Sequence, residues 1–193
     1  MKKTLLIACS SLLMVIGTAH AVDVGIGASV NTGEEASSYS ISVPIRTSAL
    51  LIEPDIMISS YTSDSTDNIT GITSDQSNSY TSIGVGLFAR IPLTGVMGAY
   101  AGGRLGYINS ESESNYITSS NTRESSGYSV GPAVGLSYAV NDSFNVSVQT
   151  GLYYHSVTED VETVSSAGVV VGSSSTDREY TNTISQIYLR MFF

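Results

Sequence analysis

The 193-residue chain is 41% hydrophobic and only 13% charged, with 18 Gly, one Cys and no Trp, and its formal net charge is −9. The charged fraction is about half of the usual 25%, and serine, threonine, glycine and tyrosine take the place of the missing charges. This composition excludes a basic nucleic-acid-binding protein, a cysteine-rich scaffold and a coiled coil, and the many aromatic and β-branched residues argue against intrinsic disorder.

The first 21 residues have the pattern of a secretory signal peptide. Lys2 and Lys3 precede an apolar stretch at 4–17, and residues 19–21 (Ala-His-Ala) place small side chains at the −3 and −1 positions. We predict cleavage after Ala21 and a mature domain that spans residues 22–193. The alternative, an uncleaved anchor, needs a longer apolar stretch of about 20 residues. The mature chain has six arginines and no lysine or cysteine against seventeen acids, a net charge of −11.

The mature chain consists of segments in which apolar and polar residues alternate with the period-2 pattern of a β-strand. Eight such segments follow one another: 22–30, 39–45, 52–58, 83–91, 97–107, 128–140, 144–154 and 183–193. Short connections at 47–50, 92–95 and 141–143 alternate with four others at 33–37, 63–77, 109–126 and 158–177, of which three are long. An even number of strands with long connections at one end is typical of a transmembrane barrel. We predict an all-β fold, an eight-stranded antiparallel up-and-down transmembrane β-barrel.

The distribution of residue types indicates which face of the strands points inward. Ten strand glycines share the polar parity, and only Gly103 lies on the apolar face. Small side chains suit the narrow interior of an eight-stranded barrel, whereas a soluble lipocalin-like barrel would place its large apolar residues inside. The apolar face carries essentially no charge and bears two groups of aromatic residues, as a lipid-facing band does. The first group is Tyr39, Tyr107, Tyr128 and Tyr154, and the second is Tyr138, Phe144 and Phe193.

The C-terminal strand carries a resemblance to a known family. A terminal Phe193 ends an alternating apolar strand with Ile187, Leu189 and Met191, which resembles the assembly signal of bacterial outer membrane proteins. With the signal peptide and eight strands, the chain resembles the small eight-stranded barrels of the attachment–invasion and outer membrane barrel-domain types. The resemblance implies a bacterial outer membrane location, insertion by the barrel assembly machinery, and contact with outer membrane lipids and lipopolysaccharide.

Charged side chains on the inward parity form a candidate lumen network. Because an ionised group in a narrow lumen must be paired, we interpret the set as a plug of ion pairs, with a narrow gated pore as the alternative. Asp23 and Arg190 are expected to face each other across the closing seam, and Arg104 has no acidic partner in the sequence pattern, which makes it the candidate pore-tuning charge. The predicted network comprises Asp23, Arg46, Glu53, Asp55, Arg90, Arg104 and Arg190.

An enzymatic role would have to use the one histidine of the mature chain, His155. Its neighbour Ser156 points to the opposite face of the strand, so the two cannot form a nucleophile–base pair without a bulge. We predict no catalytic residue, no metal site and no cofactor, and we keep a lipid A-modifying enzyme only as the third interpretation.

The connections hold most of the acidic residues and are the remaining candidate for function. They are expected to form a solvated acidic surface, which could bridge divalent cations to lipopolysaccharide phosphates. The valines of 158–177 predict that the last two strands continue as a hairpin above the membrane, with an edge that could pair with a strand of a partner. We therefore predict a monomeric barrel with a structural or adhesion-like role through its acidic loops, a host or surface ligand as partner, and no nucleic-acid binding.

Overall fold

The structure, a computed structural model, describes residues 22–32, 37–66, 73–116 and 119–193. The predicted signal peptide at 1–21 lies outside these residues. The described residues form nine strands: β1 (Asp23–Thr32), β2 (Ser37–Ser42), β3 (Ile45–Arg46), β4 (Leu50–Thr66), β5 (Thr73–Pro92), β6 (Met97–Tyr116), β7 (Ser119–Ala139), β8 (Phe144–Ser165) and β9 (Val170–Phe192). No helix in the described part of the chain is long and apolar enough to cross a membrane.

The strands form one antiparallel sheet that closes on itself, because β9 pairs with β1. Strands β2 and β3 are two halves of one barrel strand, since both pair with β1 and β4 in a single continuous register. The interruption falls at Val43 and Pro44, where proline has no N–H to donate to the ladder, although Gly25 N still donates to Pro44 O at 2.9 Å. The prediction of an eight-stranded up-and-down barrel is confirmed.

The predicted alternation sets which side chains point outward. On β9, Ile187, Leu189 and Met191 are about half exposed, while Tyr188 and Arg190 between them are buried. The other strands repeat this pattern, so the outer surface is a continuous apolar band and the lumen receives the polar and aromatic side chains. Ile45, next to the proline interruption, departs from the pattern and is buried.

The two ends of the barrel differ in the length of their connections. Tight turns at one end join β3 to β4, β5 to β6 and β7 to β8; Gly95, at a φ of 65°, supplies the left-handed residue that the second of these turns requires. At the other end, the strands continue far beyond the outward-facing Tyr107 and Tyr128. The predicted long loops at 63–77, 109–126 and 158–177 are therefore mostly paired strand.

The extent of these hairpins corrects the loop assignment. Pairing continues to Thr66↔Thr73, to Tyr116↔Ser119 and to Val164↔Val170. The predicted hairpin of the last two strands is thus present, and two similar hairpins accompany it. Beyond the apolar band both faces of these strands are polar. Residues that readily form strands therefore show no apolar–polar alternation there, and the sequence pattern did not predict the hairpins. We call the part of β4–β9 beyond Tyr107 and Tyr128 the distal sheet.

Candidate functional site

A buried ion cluster occupies the middle of the lumen, centred on Glu53. This carboxylate is fully buried and accepts two hydrogen bonds from the Arg190 guanidinium, Nε to Oε1 at 2.6 Å and Nη2 to Oε2 at 2.9 Å. It also accepts from Ser42 Oγ at 3.2 Å and from Arg104 Nη2. Arg104 donates in turn to Asp55 Oδ1 at 2.8 Å. Two carboxylates and two guanidiniums therefore neutralise one another inside the barrel.

The position of Arg104 corrects the expectation that it has no acidic partner. The register places Glu53 opposite Gly86 and Gly86 opposite Arg104, so the three residues form one row across β4, β5 and β6. Because Gly86 has no side chain, the Arg104 side chain crosses over β5 to reach both acids on β4. Arg104 is therefore a member of the ion cluster and not an isolated charge in a pore.

The expected pair of Asp23 and Arg190 is also wrong. Arg190 lies opposite Gly27, above Asp23 along the seam, and bonds to Glu53. Asp23 instead lies opposite Arg46, and the two form a part-exposed salt bridge of 2.7 Å at the short-turn end. Arg90 lies near the same end and donates to the backbone carbonyl of Thr47. The predicted network is thus two separate groups, the central cluster and a short-turn group.

Aromatic rings fill the space around the central arginines. The Arg190 guanidinium lies 4.3 Å from the Tyr188 ring centroid and 5.3 Å from that of Tyr100. Tyr100 packs edge to face against Phe88 with centroids 5.3 Å apart. Ring faces stabilise desolvated cations by about 2 kcal/mol or more each, so these rings replace some of the lost hydration. The ion cluster and its rings thus lie together in the middle of the lumen, and the plug interpretation stays a prediction.

Beyond the ion cluster, the lumen opens into a cavity of about 1160 Å³ at the long-hairpin end, which we call the vestibule. Its described lining residues include no Asp, Glu, Lys or Arg. Tyr61, Tyr80 and Tyr180 contribute rings, and amides such as Asn78 and Asn182 contribute donors and acceptors. Burial raises the pKa of Tyr80, which lies beyond the outward tyrosines, to about 12, so its hydroxyl stays neutral. Sequence periodicity carried no signal for this cavity because its residues come from strands with no apolar alternation.

His155 lies on the wall of the vestibule and not in a catalytic pair. It is 4% exposed, its Nε2 lies 2.8 Å from Asn182 Oδ1, and its ring stacks on Tyr180 with centroids 4.7 Å apart. Its Nδ1 is buried and has no hydrogen-bond partner among the described residues. The ladder through His155 and Ser156 is regular, so Ser156 faces outward and the two side chains do not meet.

The acidic residues of the distal sheet also follow the strand alternation. Glu111, Glu124 and Asp160 are exposed on the outer face and lie directly opposite one another on β6, β7 and β8. On the inner side, Glu159 forms pairs of 3.4 Å and 3.3 Å with Arg123 and Arg178. Within the described residues, no group of three or more His, Cys, Asp or Glu side chains is arranged to hold a metal ion. The distal sheet is thus acidic outside and nearly balanced inside.

The distal sheet is open on one side. The hairpin of β1 and β2 ends its pairing at Thr32↔Ser37, and β1 reaches β9 only as far as Gln186. Strand β9 continues to Val170, paired on its other side with β8. From Val170 to Ile184, β9 therefore has one edge with no backbone partner among the described residues. The length difference between the first hairpin and the others creates this edge.

Comparison with solved structures places the fold among bacterial outer membrane proteins. A major outer membrane protein from Thermus thermophilus matches with a TM-score of 0.61 at 12% identity, over 90% of this chain and 100% of that chain. Neisserial surface protein A matches with a TM-score of 0.47 at 16% identity, over 89% and 96%. The attachment invasion locus protein Ail of Yersinia pestis matches with a TM-score of 0.46 at 11% identity, over 89% and 95%.

No protein-family model and no curated protein sequence matches the chain. At these identities the likeness concerns the fold alone, and of the three structures the Thermus protein has a TM-score above 0.5. The predicted resemblance to small outer membrane barrels is confirmed at that level, and the chain has the fold of an outer membrane β-barrel.

Proposed function

We propose that the protein resides in the bacterial outer membrane and acts as a surface-interaction protein, binding an extended polypeptide along the open edge of β9. The outer membrane location is supported by the fold and by the exposed apolar band. A surface of this kind is stable only against lipid. In such barrels the short turns face the periplasm and the long hairpins face outward, so the distal sheet would be extracellular.

The open edge of β9 is the observation that carries the proposal. Phe193 N donates to Val24 O of β1, and Phe192 N donates to the carbonyl of Ser143, the residue before β8. Because backbone groups alternate sides along a strand, the odd-numbered residues of β9 direct their N–H and C=O groups away from β8. From Ser173 to Thr183 these groups form a row of unpaired donors and acceptors among the described residues, which is the template for strand addition.

The charges near this edge indicate what kind of chain would bind. Asp177 and Glu179 lie on the outer face of β9, and Asp160 and Glu162 are exposed on the neighbouring β8. An acidic strand paired with this edge would place like charges opposite each other, which destabilises a sheet. An added strand should therefore be basic, and a second copy of β9 is disfavoured.

The test removes edge donors without disturbing the ladder to β8. Thr181→Pro with Thr183→Pro deletes two outward N–H groups at positions where an edge strand tolerates proline. The matched control, Thr181→Ala with Thr183→Ala, removes the same side chains and keeps both N–H groups. Binding of the purified full-length protein in detergent is measured on an array of peptides of about 15 residues each, in separate basic, neutral and acidic sets.

We expect wild-type protein and the alanine control to bind the basic peptides of alternating polar and β-branched sequence. The proline variant should bind them about tenfold more weakly or worse, because each lost edge hydrogen bond contributes about 0.5–1.5 kcal/mol. Equal binding by the proline variant, or a preference for acidic peptides, would refute the proposal. Circular dichroism confirms that all three proteins keep the same strand content.

A further inference from the structure

The vestibule has a composition that suits one class of small ligand. Its described lining combines tyrosine rings, amide groups and hydroxyl groups, with no Asp, Glu, Lys or Arg. Among these described lining residues, an anionic ligand would find no arginine or lysine to pair with, and a hard metal ion would find no carboxylate. An acyl chain would leave the amides and hydroxyls without partners, at a cost of about 1–3 kcal/mol for each buried group.

We propose that the vestibule is a binding site for a neutral saccharide. A sugar ring has an apolar face of C–H groups, which packs on the negative face of an aromatic ring. Its rim of hydroxyl groups both donates and accepts hydrogen bonds, as do the carboxamides of Asn78 and Asn182. This site uses inward side chains such as Tyr180 and Asn182, whereas the proposed peptide would pair with the backbone edge of β9, so the two proposals rest on different groups of that strand.

Tyr180 and Tyr61 are the two rings most accessible to such a ligand. Both have inward parity and line the vestibule, and their exposed fractions are 47% and 46%. His155 stacks on Tyr180 with an interplanar angle of 10°, which holds the Tyr180 ring in one orientation. A ring that is fixed before binding loses less conformational entropy when a sugar packs on it.

The shape of the cavity adds two constraints on the ligand. Its volume of about 1160 Å³ is slightly larger than that of most ligand pockets, which fits an oligosaccharide better than a single sugar. A smaller cavity of about 40 Å³, lined by Tyr80, Arg104 and His155 among others, lies between the vestibule and the ion cluster. Because the ion cluster and its rings lie below it in the lumen, we expect a saccharide to bind at the vestibule and not to pass through.

On one side the wall of the vestibule is shorter, because Asn31 and Ser38 of the short β1–β2 hairpin form it. A saccharide could therefore enter from two sources, the sugar portion of a neighbouring lipopolysaccharide or a free glycan from outside the cell. Both present the same chemistry to Tyr61 and Tyr180, so the two sources must be separated by adding or withholding lipopolysaccharide.

The test uses full-length protein in detergent micelles and saturation-transfer difference NMR. The neutral probes are lactose, maltotriose and N,N′-diacetylchitobiose, and the anionic comparison is 3′-sialyllactose. Tyr180→Ala and Tyr61→Ala are the test variants. Tyr107→Ala is the matched control, because Tyr107 is similarly exposed but faces outward.

We expect saturation transfer to at least one neutral probe, with affinity at least tenfold weaker in Tyr180→Ala and weaker in Tyr61→Ala, and unchanged in Tyr107→Ala. Absence of transfer to all three neutral probes, stronger binding of 3′-sialyllactose, or wild-type affinity in both vestibule variants would overturn the proposal. Repeating the titration in nanodiscs that contain lipopolysaccharide identifies the source. Loss of probe binding there assigns the site to lipopolysaccharide sugars, and retained binding assigns it to free glycans.

Discussion

Replacing Glu53 with glutamine should destabilise the barrel more than any other single charge removal. The carboxylate is fully buried and accepts from Arg190, Arg104 and Ser42. Glutamine keeps the shape but leaves two buried guanidiniums opposite one remaining carboxylate, Asp55. Breaking a buried ion pair by removing one partner costs about 3–5 kcal/mol, and we expect a loss in that range in the free energy of unfolding.

The assay is urea unfolding of the protein in lipid vesicles. Since the chain has no tryptophan, unfolding is followed by circular dichroism and by the mobility of the unheated protein in gel electrophoresis. Asp23→Asn is the control, because the Asp23–Arg46 pair has a comparable distance of 2.7 Å but side chains that are 40% and 17% exposed. An exposed pair contributes about 0–1 kcal/mol, so this variant should unfold close to wild type.

A double variant tests whether unbalanced charge causes the loss. Glu53→Gln with Arg190→Met removes one carboxylate and one guanidinium together and leaves Arg104 paired with Asp55 at 2.8 Å. The double variant should be more stable than Glu53→Gln alone, with a coupling of about 2 kcal/mol or more. A Glu53→Gln variant within about 1 kcal/mol of wild type, or a double variant with purely additive losses, would refute the reasoning.

Two further predictions concern the lumen. In planar bilayers the wild-type protein should show little or no steady conductance if the ion cluster and its rings act as a plug; large, steady openings would favour the pore interpretation instead. Gly102→Ala should lower the free energy of unfolding by about 1–3 kcal/mol, because an added Cβ would meet the backbone carbonyl oxygen of Leu87 on the next strand. In the same urea assay Gly172→Ala, where nothing lies within 4 Å of the added atom, should be neutral.

Alternation within the apolar band was enough to predict the barrel and the orientation of its side chains. Ile187, Leu189 and Met191 lie on the outer face as expected. A shift of the pairing register by one residue would move all three into the lumen, so this face is strongly specified. Their role as an assembly signal stays a prediction. The ion partners could not be predicted in the same way, because they depend on register. Arg104 reaches Glu53 only because the two are aligned in one row with Gly86 between them.

Features beyond the apolar band were predicted less well for a different reason. Where both faces of a strand contact water, both carry polar residues and the sequence shows no apolar–polar alternation. The sequence therefore did not indicate that Tyr61 and Tyr180 face a shared cavity. The open edge of β9 depends on a comparison between hairpins that are distant in sequence. It exists because β1 contacts β9 only up to Gln186, while β8 continues beside β9 to Val170.

Because the β1–β2 hairpin is short, one side of the molecule extends less far than the other. Eight strands surround the barrel at the level of the apolar band, but six continue into the distal sheet. A partner bound along the β9 edge would therefore lie beside the distal sheet, alongside β9, and not on top of the barrel. If the protein resides in the outer membrane as proposed, the length of neighbouring lipopolysaccharide chains should control how much of the edge a partner can reach.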